Sequence, residues 1–138
     1  MTDYADWTKN LIADIRANGR PTSGYFEGRP VMVLTTNGAK SGQPRTAVVT
    51  YSRDGDDYVV VGSKSGEPED PAWFTNLRTN PVVTVEADGQ TFQASATVAE
   101  GADRDTLWDR HVAEHAQFAE YPSKTDRIIP IARLKPLG

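Results

Sequence analysis

Two cations and a hydroxyl lie in a glycine-containing loop early in the chain. The stretch from Leu34 to Arg45 reads LTTNGAKSGQPR and places Lys40 beside Ser41, with β-rich runs on both sides. Asn-Gly, Ser-Gly and Pro form turns, because glycine adopts φ > 0 without a Cβ clash and proline fixes φ. From Gly28 to Arg53 there are four basic residues and no acid, although the net charge of the chain is -4. The loop is therefore a candidate site for a small anionic ligand.

A second loop of similar chemistry follows a later strand. Ser63 and Lys64 come directly after a Tyr-Val-Val-Val-Gly run, and if the two strands are neighbours, both loops meet at one end of the sheet. Asn76 and Arg78 on a short helix would add further donors there. Several donors around one point are what a phosphate or a carboxylate-rich ligand requires. Hairpin tips with solvated charges have the same composition, and composition alone favours neither interpretation.

The two histidines form the other candidate chemical motif. His111-Val-Ala-Glu-His115 matches His-x-x-Glu-His, whose spacing would place both imidazoles on one helical face, as zinc requires. A third ligand is needed, but the chain has no cysteine, and Glu120 is the only glutamate after the motif. Zinc hydrolysis is therefore disfavoured, and an ordinary helix surface is the simpler interpretation. The sequence suggests no Ser-His-Asp triad and contains neither a P-loop nor Gly-x-Gly-x-x-Gly.

Short strands alternate with helices along the chain. Helical spacing predicts helices at Tyr4 to Asn18, with Asp3 as N-cap, and at Gly101 to about Ala119. Asp70 and Pro71 are expected to be the N-cap and first residue of a third, short helix. Six β-rich runs predict strands: Pro30 to Thr36, Thr46 to Arg53, Tyr58 to Gly62, Val82 to Ala87, Thr91 to Val98 and Ile128 to Leu134. Consecutive hairpins with outer helices predict an α+β fold, with a small antiparallel barrel as the favoured closure.

Aromatic residues flank the candidate site segments. A planar ligand would stack on such rings. Closure of the barrel ends is the alternative, and it is the more frequent role of aromatic residues. The residues concerned are Trp73, Phe74, Phe118 and Tyr121.

Composition limits the class of protein. A chain of 138 residues is expected to form one domain, with an N-terminal helix at 1–19, a linker at 20–29 and a barrel at 30–138. The absence of cysteine excludes disulfides and thiolate chemistry, and the acidic balance argues against nucleic acid. No apolar run approaches the roughly 20 residues of a membrane span, so a cytoplasmic location is expected. The first helix should pack on the sheet; a lid, a dimer element and a membrane-surface contact are its alternatives.

Four ordered motifs resemble those of one known family. They are TTNGAKSGQPRT at 35–46, VVGSKSG at 60–66, DPAWFTNL at 70–77 and TDRIIP at 125–130. In order and spacing they resemble the deazaflavin-dependent nitroreductases of actinobacteria, the F420-dependent split-barrel reductases. The resemblance runs from about Val31 to the C-terminus. Four motifs together are much more specific than any one alone.

The resemblance implies a split β-barrel that binds reduced coenzyme F420 and passes a hydride from the deazaflavin C5 to a quinone, enone or nitro compound. It assigns Lys40, Ser41 and Arg45 to the phosphate and oligoglutamate tail of the cofactor. Because the cofactor carries the chemistry, no catalytic side chain and no metal are expected. The acceptor would contact His115, Phe118 and Tyr121. Further cofactor contacts are implied for Ala39, Gly42, Thr46, Ala47, Val48, Val49, Thr50, Gly62, Ser63, Lys64, Ala72, Trp73, Asn76 and Phe118.

The chain departs from the family pattern at the acceptor and at the tail. Aromatic hydroxyls cover the substrate in the nitroimidazole-activating member, and only Tyr121 matches one of them here. Ala39 stands where a basic residue is common, which weakens the expected hold on the tail. Three alternatives to an F420-dependent reductase stay open: a split barrel that binds FMN, a non-catalytic deazaflavin carrier and a zinc hydrolase. The acceptor and the oligomeric state are also open.

Overall fold

Nine regular elements form in the part of the chain that the computed structural model describes, namely residues 4–22, 30–62, 71–115 and 129–137, without the side chains of residues 4–8. Three are helices and six are strands, and they occur in the order that the sequence pattern predicts. In chain order they are α1 (Tyr4–Asn18), β1 (Val31–Asn37), β2 (Pro44–Asp54), β3 (Asp57–Val61), α2 (Ala72–Thr79), β4 (Val82–Ala87), β5 (Gln90–Val98), α3 (Gly101–Glu114) and β6 (Ile131–Pro136).

The strands close into a barrel in the order β1-β2-β3-β6-β5-β4, and each of these described pairs is antiparallel. This confirms the predicted α+β barrel with outer helices. Asp88 and Gly89 join β4 to β5 with φ values of 49° and 80°, the left-handed backbone that a tight hairpin turn requires. Since β1 and β3 run in the same direction, the chain leaves both strands at the same end of the barrel, here called the loop end.

The barrel interior is filled by apolar side chains, and α2 closes the loop end. Met32 and Leu34 of β1 face inward and are fully buried, because alternate residues of a strand point to the same face. Phe74 and Leu77 of α2 join the same core cluster. The aromatic ring of Phe74 therefore closes the barrel, the role that the sequence left as the alternative to ligand stacking.

The two longer helices cover the outside of the barrel. Leu11 and Ile15 of α1 pack on Val31 and Val33, which lie on the outer face of β1. Leu107 of α3 packs against the outer residues of β3 and β6: Val59, Val61 and Ile131. Burial of these apolar stripes stabilises the helices against the sheet, at about 25 cal/mol per Å² of apolar area.

Polar contacts also hold α1 in place. Arg16 binds the carboxylate of Glu86 on β4 through two nitrogens, at 2.8 and 3.0 Å. Gly19 ends the helix at φ 83°, and a Cβ there would lie 3.2 Å from the backbone nitrogen of Gly89. The first helix thus packs on the barrel, as expected.

Among the described residues, no helix has both the length and the apolar character needed to cross a membrane.

A buried tyrosine closes the end of the barrel opposite the loop end. The Tyr51 hydroxyl donates to Oδ2 of Asp88 at 2.8 Å, and Arg20 Nε donates to Oδ1 of the same carboxylate at 2.7 Å. Burial, followed by the hydrogen bond to Asp88, raises the pKa of the Tyr51 phenol. Tyr51 therefore remains a neutral donor throughout the physiological pH range.

Several element ends differ from the sequence-based predictions. Pro71 is the N-cap of α2, with φ -64° and ψ 150°, rather than its first helical residue. Helix α3 ends at Glu114, short of the predicted Ala119, because His115 leaves helical geometry and hydrogen-bonds the backbone of β2. Strand β2 begins at Pro44, since it pairs with β1 down to Asn37. Predictions for Asp3, Asp70 and the 125–130 motif, apart from Ile129 and Pro130, fall outside the described residues.

Candidate cofactor-binding site

The loop between β1 and β2 is a compact turn held by its own backbone. Gly38 N donates to Gln43 O at 2.8 Å, and Gly42 N donates to Gly38 O at 2.9 Å. The Ser41 hydroxyl oxygen accepts from Gln43 N at 3.2 Å. Gly42 adopts φ 71°, which glycine reaches without strain. This geometry presents Lys40 and Ser41 on the exposed tip of the loop.

Helix α2 holds the same loop from the side. Asn76 Oδ1 accepts from the backbone nitrogen of Ala39 at 3.0 Å, while Asn76 Nδ2 donates to Oγ1 of Thr36 at 3.1 Å. One turn later, Asn80 Nδ2 donates to the backbone oxygens of Asn37 and Gly38, each at 3.3 Å. The loop and α2 are thereby joined into one unit.

A cavity of about 710 Å³ lies between this loop, the start of β2 and α2. Its volume is within the range of small-molecule and cofactor sites. The side chain of Trp73 is partly exposed there and forms a tilted pair with Phe74, with ring centroids 5.5 Å apart. The residues that line the cavity are Gly38, Ala39, Lys40, Ser41, Arg45, Thr46, Ala47, Ala72, Trp73, Thr75 and Asn76.

The charge of the cavity is positive. Lys40 and Arg45 both line it, and within the described residues neither has an ion-pair partner. No described lining residue is acidic, and the first turn of α2, which borders the cavity, carries no acid either. The helix dipole places partial positive charge at that end. The arrangement suits an anionic group, as the sequence predicts.

Nine of the residues predicted to bind the cofactor line this cavity. Gly38 also lines it and was not predicted, whereas Thr75 lines it within the stretch from Ala72 to Asn76 that the resemblance assigns to the pocket. Gly42 is exposed at the tip of the loop and does not line the cavity. The nine are Ala39, Lys40, Ser41, Arg45, Thr46, Ala47, Ala72, Trp73 and Asn76.

The middle of β2 lies beyond the cavity. Val48 packs on the outside of the barrel, against the apolar residues between α1 and β1. Val49 packs against the barrel core, because successive residues of a strand face opposite sides. Thr50 continues the strand and is half-buried. A single planar ligand on one face of β2 would therefore contact alternate side chains of 46–50. Cofactor contacts at these three positions stay a prediction.

The second predicted loop begins at the loop end, as expected. Gly62 follows β3, its backbone nitrogen donates to Pro130 O at 2.9 Å, and a Cβ there would lie 2.8 Å from the Phe74 ring. Glycine is thus required by the close approach of α2. Ser63, Lys64, Phe118 and Tyr121 lie outside the described residues, and their assignments remain predictions.

The two histidines are not on an ordinary helix surface, so that interpretation is wrong. His111 is fully buried, with Nδ1 3.0 Å from the Ser52 hydroxyl. His115 is 6% exposed, and its Nε2 donates to the backbone oxygen of Tyr51 at 3.0 Å. Both rings join α3 to β2. His115 does not line the cavity described above, and its predicted contact with the acceptor stays a prediction.

The environment of His111 favours the neutral ring. Burial, with a smaller contribution from the neighbouring His115, lowers the pKa of His111 from its ordinary 6.5 to about 3. The two rings lie 4.9 Å apart between centroids. Among the described residues, no third histidine, cysteine or acid stands with them in a metal-binding group. The motif here fastens a helix to a strand.

The closed antiparallel barrel with outer helices is the fold of solved F420-dependent reductases of the split-barrel class. A solved structure of an F420H2-dependent reductase, FDR-A, has a TM-score of 0.72 and 35% sequence identity to this chain. It is matched over 78% of this chain and 95% of its own. A second solved structure, described as a domain-swapped dimer, has a TM-score of 0.74 and 31% identity over 96% of this chain and 100% of its own. The likeness to FDR-A supports the split-barrel class, and the second structure shares the fold of this chain.

The chain belongs to the F420H2-dependent quinone reductase family, whose sequence model matches residues 7–136. It is similar to the F420H2-dependent quinone reductase Rv1261c of Mycobacterium tuberculosis, with 40% identity over 120 residues. That match spans 85% of this chain and 80% of the relative. The resemblance stated from the four motifs is thus confirmed at the level of the family.

Proposed function

We propose that this protein binds reduced coenzyme F420 and uses it to reduce a quinone. The observation that carries the proposal is the pair Lys40 and Arg45, which line a cavity without a described ion-pair partner or a described acidic neighbour. Both side chains are exposed at the cavity, and two cations beside a lining with no described acid attract an anionic ligand. The phosphate and oligoglutamate tail of F420 supplies that anion, and family membership supports the same cofactor.

In this proposal the residues of the chain bind, orient and shield the cofactor. When bound, reduced F420 supplies a hydride, which together with one proton converts a quinone to a hydroquinone. Lys40, Ser41 and Arg45 hold the tail, while the aromatic face of Trp73 at the cavity wall supports the ring system. A fixed cofactor and a fixed acceptor remove the entropic cost of bringing two reactants together. No side chain of the chain needs to exchange electrons.

The acceptor side rests on residues that follow α3 in the chain. We propose that His115, Phe118 and Tyr121 face the acceptor, following the family resemblance. Only Tyr121 offers a phenol, so a planar quinone with few polar groups suits the site better than a bicyclic nitroimidazole. A membrane-surface role for α1 is not favoured, because its apolar residues Leu11 and Ile15 face β1. The cytoplasmic location and the lack of nucleic acid binding stay predictions.

Titration with two cofactors tests the proposal. Purified protein is titrated separately with F420 and with FMN, and quenching of tryptophan fluorescence reports binding because Trp73 lines the cavity. We expect micromolar or tighter binding of F420 and no response to FMN. Binding of FMN alone would keep the barrel and overturn the deazaflavin assignment. Binding of neither would leave the cationic loop as a hairpin tip with solvated charges.

Turnover separates an enzyme from a carrier. Reduced F420 is mixed with a soluble benzoquinone and catalytic amounts of protein, and the recovery of oxidised F420 absorbance is followed. We expect a rate proportional to protein concentration, together with formation of one hydroquinone per F420 oxidised. Tight F420 binding with no rate above that of the protein-free mixture, for several quinones and nitro compounds, would identify a deazaflavin carrier instead.

A further inference from the structure

Asn76 lines the cavity, yet its amide is already engaged on both sides by the protein. The oxygen accepts from Ala39 N at 3.0 Å, the nitrogen donates to the hydroxyl of Thr36 at 3.1 Å, and the side chain is buried. We propose that Asn76 is a positioning residue, which fixes the β1–β2 loop for the cofactor tail rather than holding the cofactor itself. The tail-binding part of this inference rests on the proposed function.

The chemistry of asparagine suits this position. A short side chain with one acceptor and two donors bridges a backbone N–H and a hydroxyl at the same time. The Thr36 side chain is buried at the end of β1, and the Asn76 amide reaches it from α2. Loss of the amide would leave a partly buried Ala39 N–H and a buried hydroxyl without these partners, and such groups are costly to leave unsatisfied.

A second asparagine holds the neighbouring peptide units. Asn80 is the C-cap of α2, and its backbone nitrogen donates to Asn76 O at 2.8 Å. Its side-chain nitrogen donates to the oxygens of Asn37 and Gly38. The last turn of α2 therefore holds residues 37, 38 and 39 in succession, immediately before Lys40. This holds the loop ready for an anion and reduces the entropy lost on binding.

The expected result is a selective loss of tail recognition. We expect Asn76→Ala to weaken F420 binding by about 10-fold to 30-fold, since one or two hydrogen bonds that order the loop are lost. Affinity for a deazaflavin without the phosphate and oligoglutamate tail should stay within about 2-fold of the unmodified protein, because the loop does not hold the ring system. Thr36→Val removes only one of the two contacts of Asn76 and should have a smaller effect than Asn76→Ala.

Amide hydrogen exchange measures the same role without any cofactor. In the cofactor-free protein, Asn76→Ala should accelerate exchange at the Ala39 amide by about 10-fold or more, since its acceptor is gone. Asn76→Asp keeps an acceptor oxygen and should restore protection of Ala39. Asn18→Ala makes the same truncation on α1, where the Asn18 side chain hydrogen-bonds Asp14, and should leave exchange at the Ala39 amide unchanged.

The outcomes separate this inference from the proposed function. If Ala39 exchanges equally fast with and without the Asn76 amide, the inference is overturned, whichever cofactor binds. An equal loss of affinity for both deazaflavins would also overturn it, because Asn76 would then serve the ring site or general folding. If the unmodified protein binds no F420 while Ala39 exchange responds as expected, the proposed function fails and Asn76 still positions the loop. Should Asn76→Ala not fold, Asn76→Leu, which keeps a branched side chain of similar size but lacks the amide, is measured in the same way at Ala39.

Discussion

Replacement of both Lys40 and Arg45 by alanine is expected to weaken F420 binding by about 100-fold or more. Each cation can form a charge-assisted hydrogen bond to an anionic oxygen, and such bonds contribute more than neutral ones. Two lost contacts of this strength correspond to at least two orders of magnitude in the dissociation constant. The free energy of unfolding should be nearly unchanged, because both side chains are exposed and make no ion pair within the described residues.

A matched pair of substitutions controls for the loss of charge. Lys9 and Lys135 are exposed cations on α1 and β6, outside the cavity lining, so Lys9→Ala with Lys135→Ala makes the same change in net charge. This control should bind F420 like the unmodified protein. Titrations at low and high salt add a second readout, since screening should weaken binding to the unmodified protein more than to the Lys40/Arg45 variant. Equal affinity of the cavity variant and the control would show that these cations do not hold the tail.

Acidification is expected to destabilise the protein through His111. The folded-state pKa of about 3 lies below the ordinary 6.5, with burial as the main cause. Below about pH 6.5, His111 therefore binds a proton in the unfolded chain but stays unprotonated in the folded protein until the pH approaches 3. Stability from this residue is fully present above pH 6.5 and is lost as the pH falls towards 3. Linkage predicts a loss on the order of 2 kcal/mol by about pH 5.

Urea unfolding between pH 7.5 and pH 5 measures this loss. The loss of unfolding free energy that comes from His111 can be separated from the loss that comes from the carboxylates. Hydrogen bonds from Thr22, Arg133 and Arg20 lower the pKa values of Asp14, Asp54 and Asp88, respectively, below the ordinary 3.8, so these groups titrate at lower pH.

Substitution at each histidine assigns the effect. His111→Asn keeps a polar side chain near the Ser52 hydroxyl but removes the titrating ring, so the pH dependence in this window should flatten even if the variant is less stable overall. His115→Asn leaves His111 in place and should retain the His111 part of the slope. A full slope in the His111 variant would contradict the assignment of the acid sensitivity to His111.

Local patterns in the sequence predicted most elements and the part of the site that lies on one loop. Helix α1 and strand β4 have the predicted bounds, because apolar spacing, Gly19 and the Asp-Gly turn are all local signals. The predicted cationic loop does border a cavity, since turn residues and charges stand next to one another in the chain. The family resemblance, which rests on four ordered motifs, is confirmed.

The surroundings of a side chain depended instead on contacts between distant parts of the chain. His111 is paired with Ser52 across 59 positions, and the motif alone gives no sign that β2 would bury it. The cofactor contact predicted for Asn76 stays a prediction, and no local pattern indicates that its amide also contacts Thr36 and Ala39, 40 and 37 positions away. Neither contact follows from spacing, because the barrel closure decides which strand lies against which helix. Residue types and local periodicity thus predicted the elements and the chemistry of the loop, while burial and hydrogen-bond partners were decided by the packing of α2 and α3 on the closed barrel.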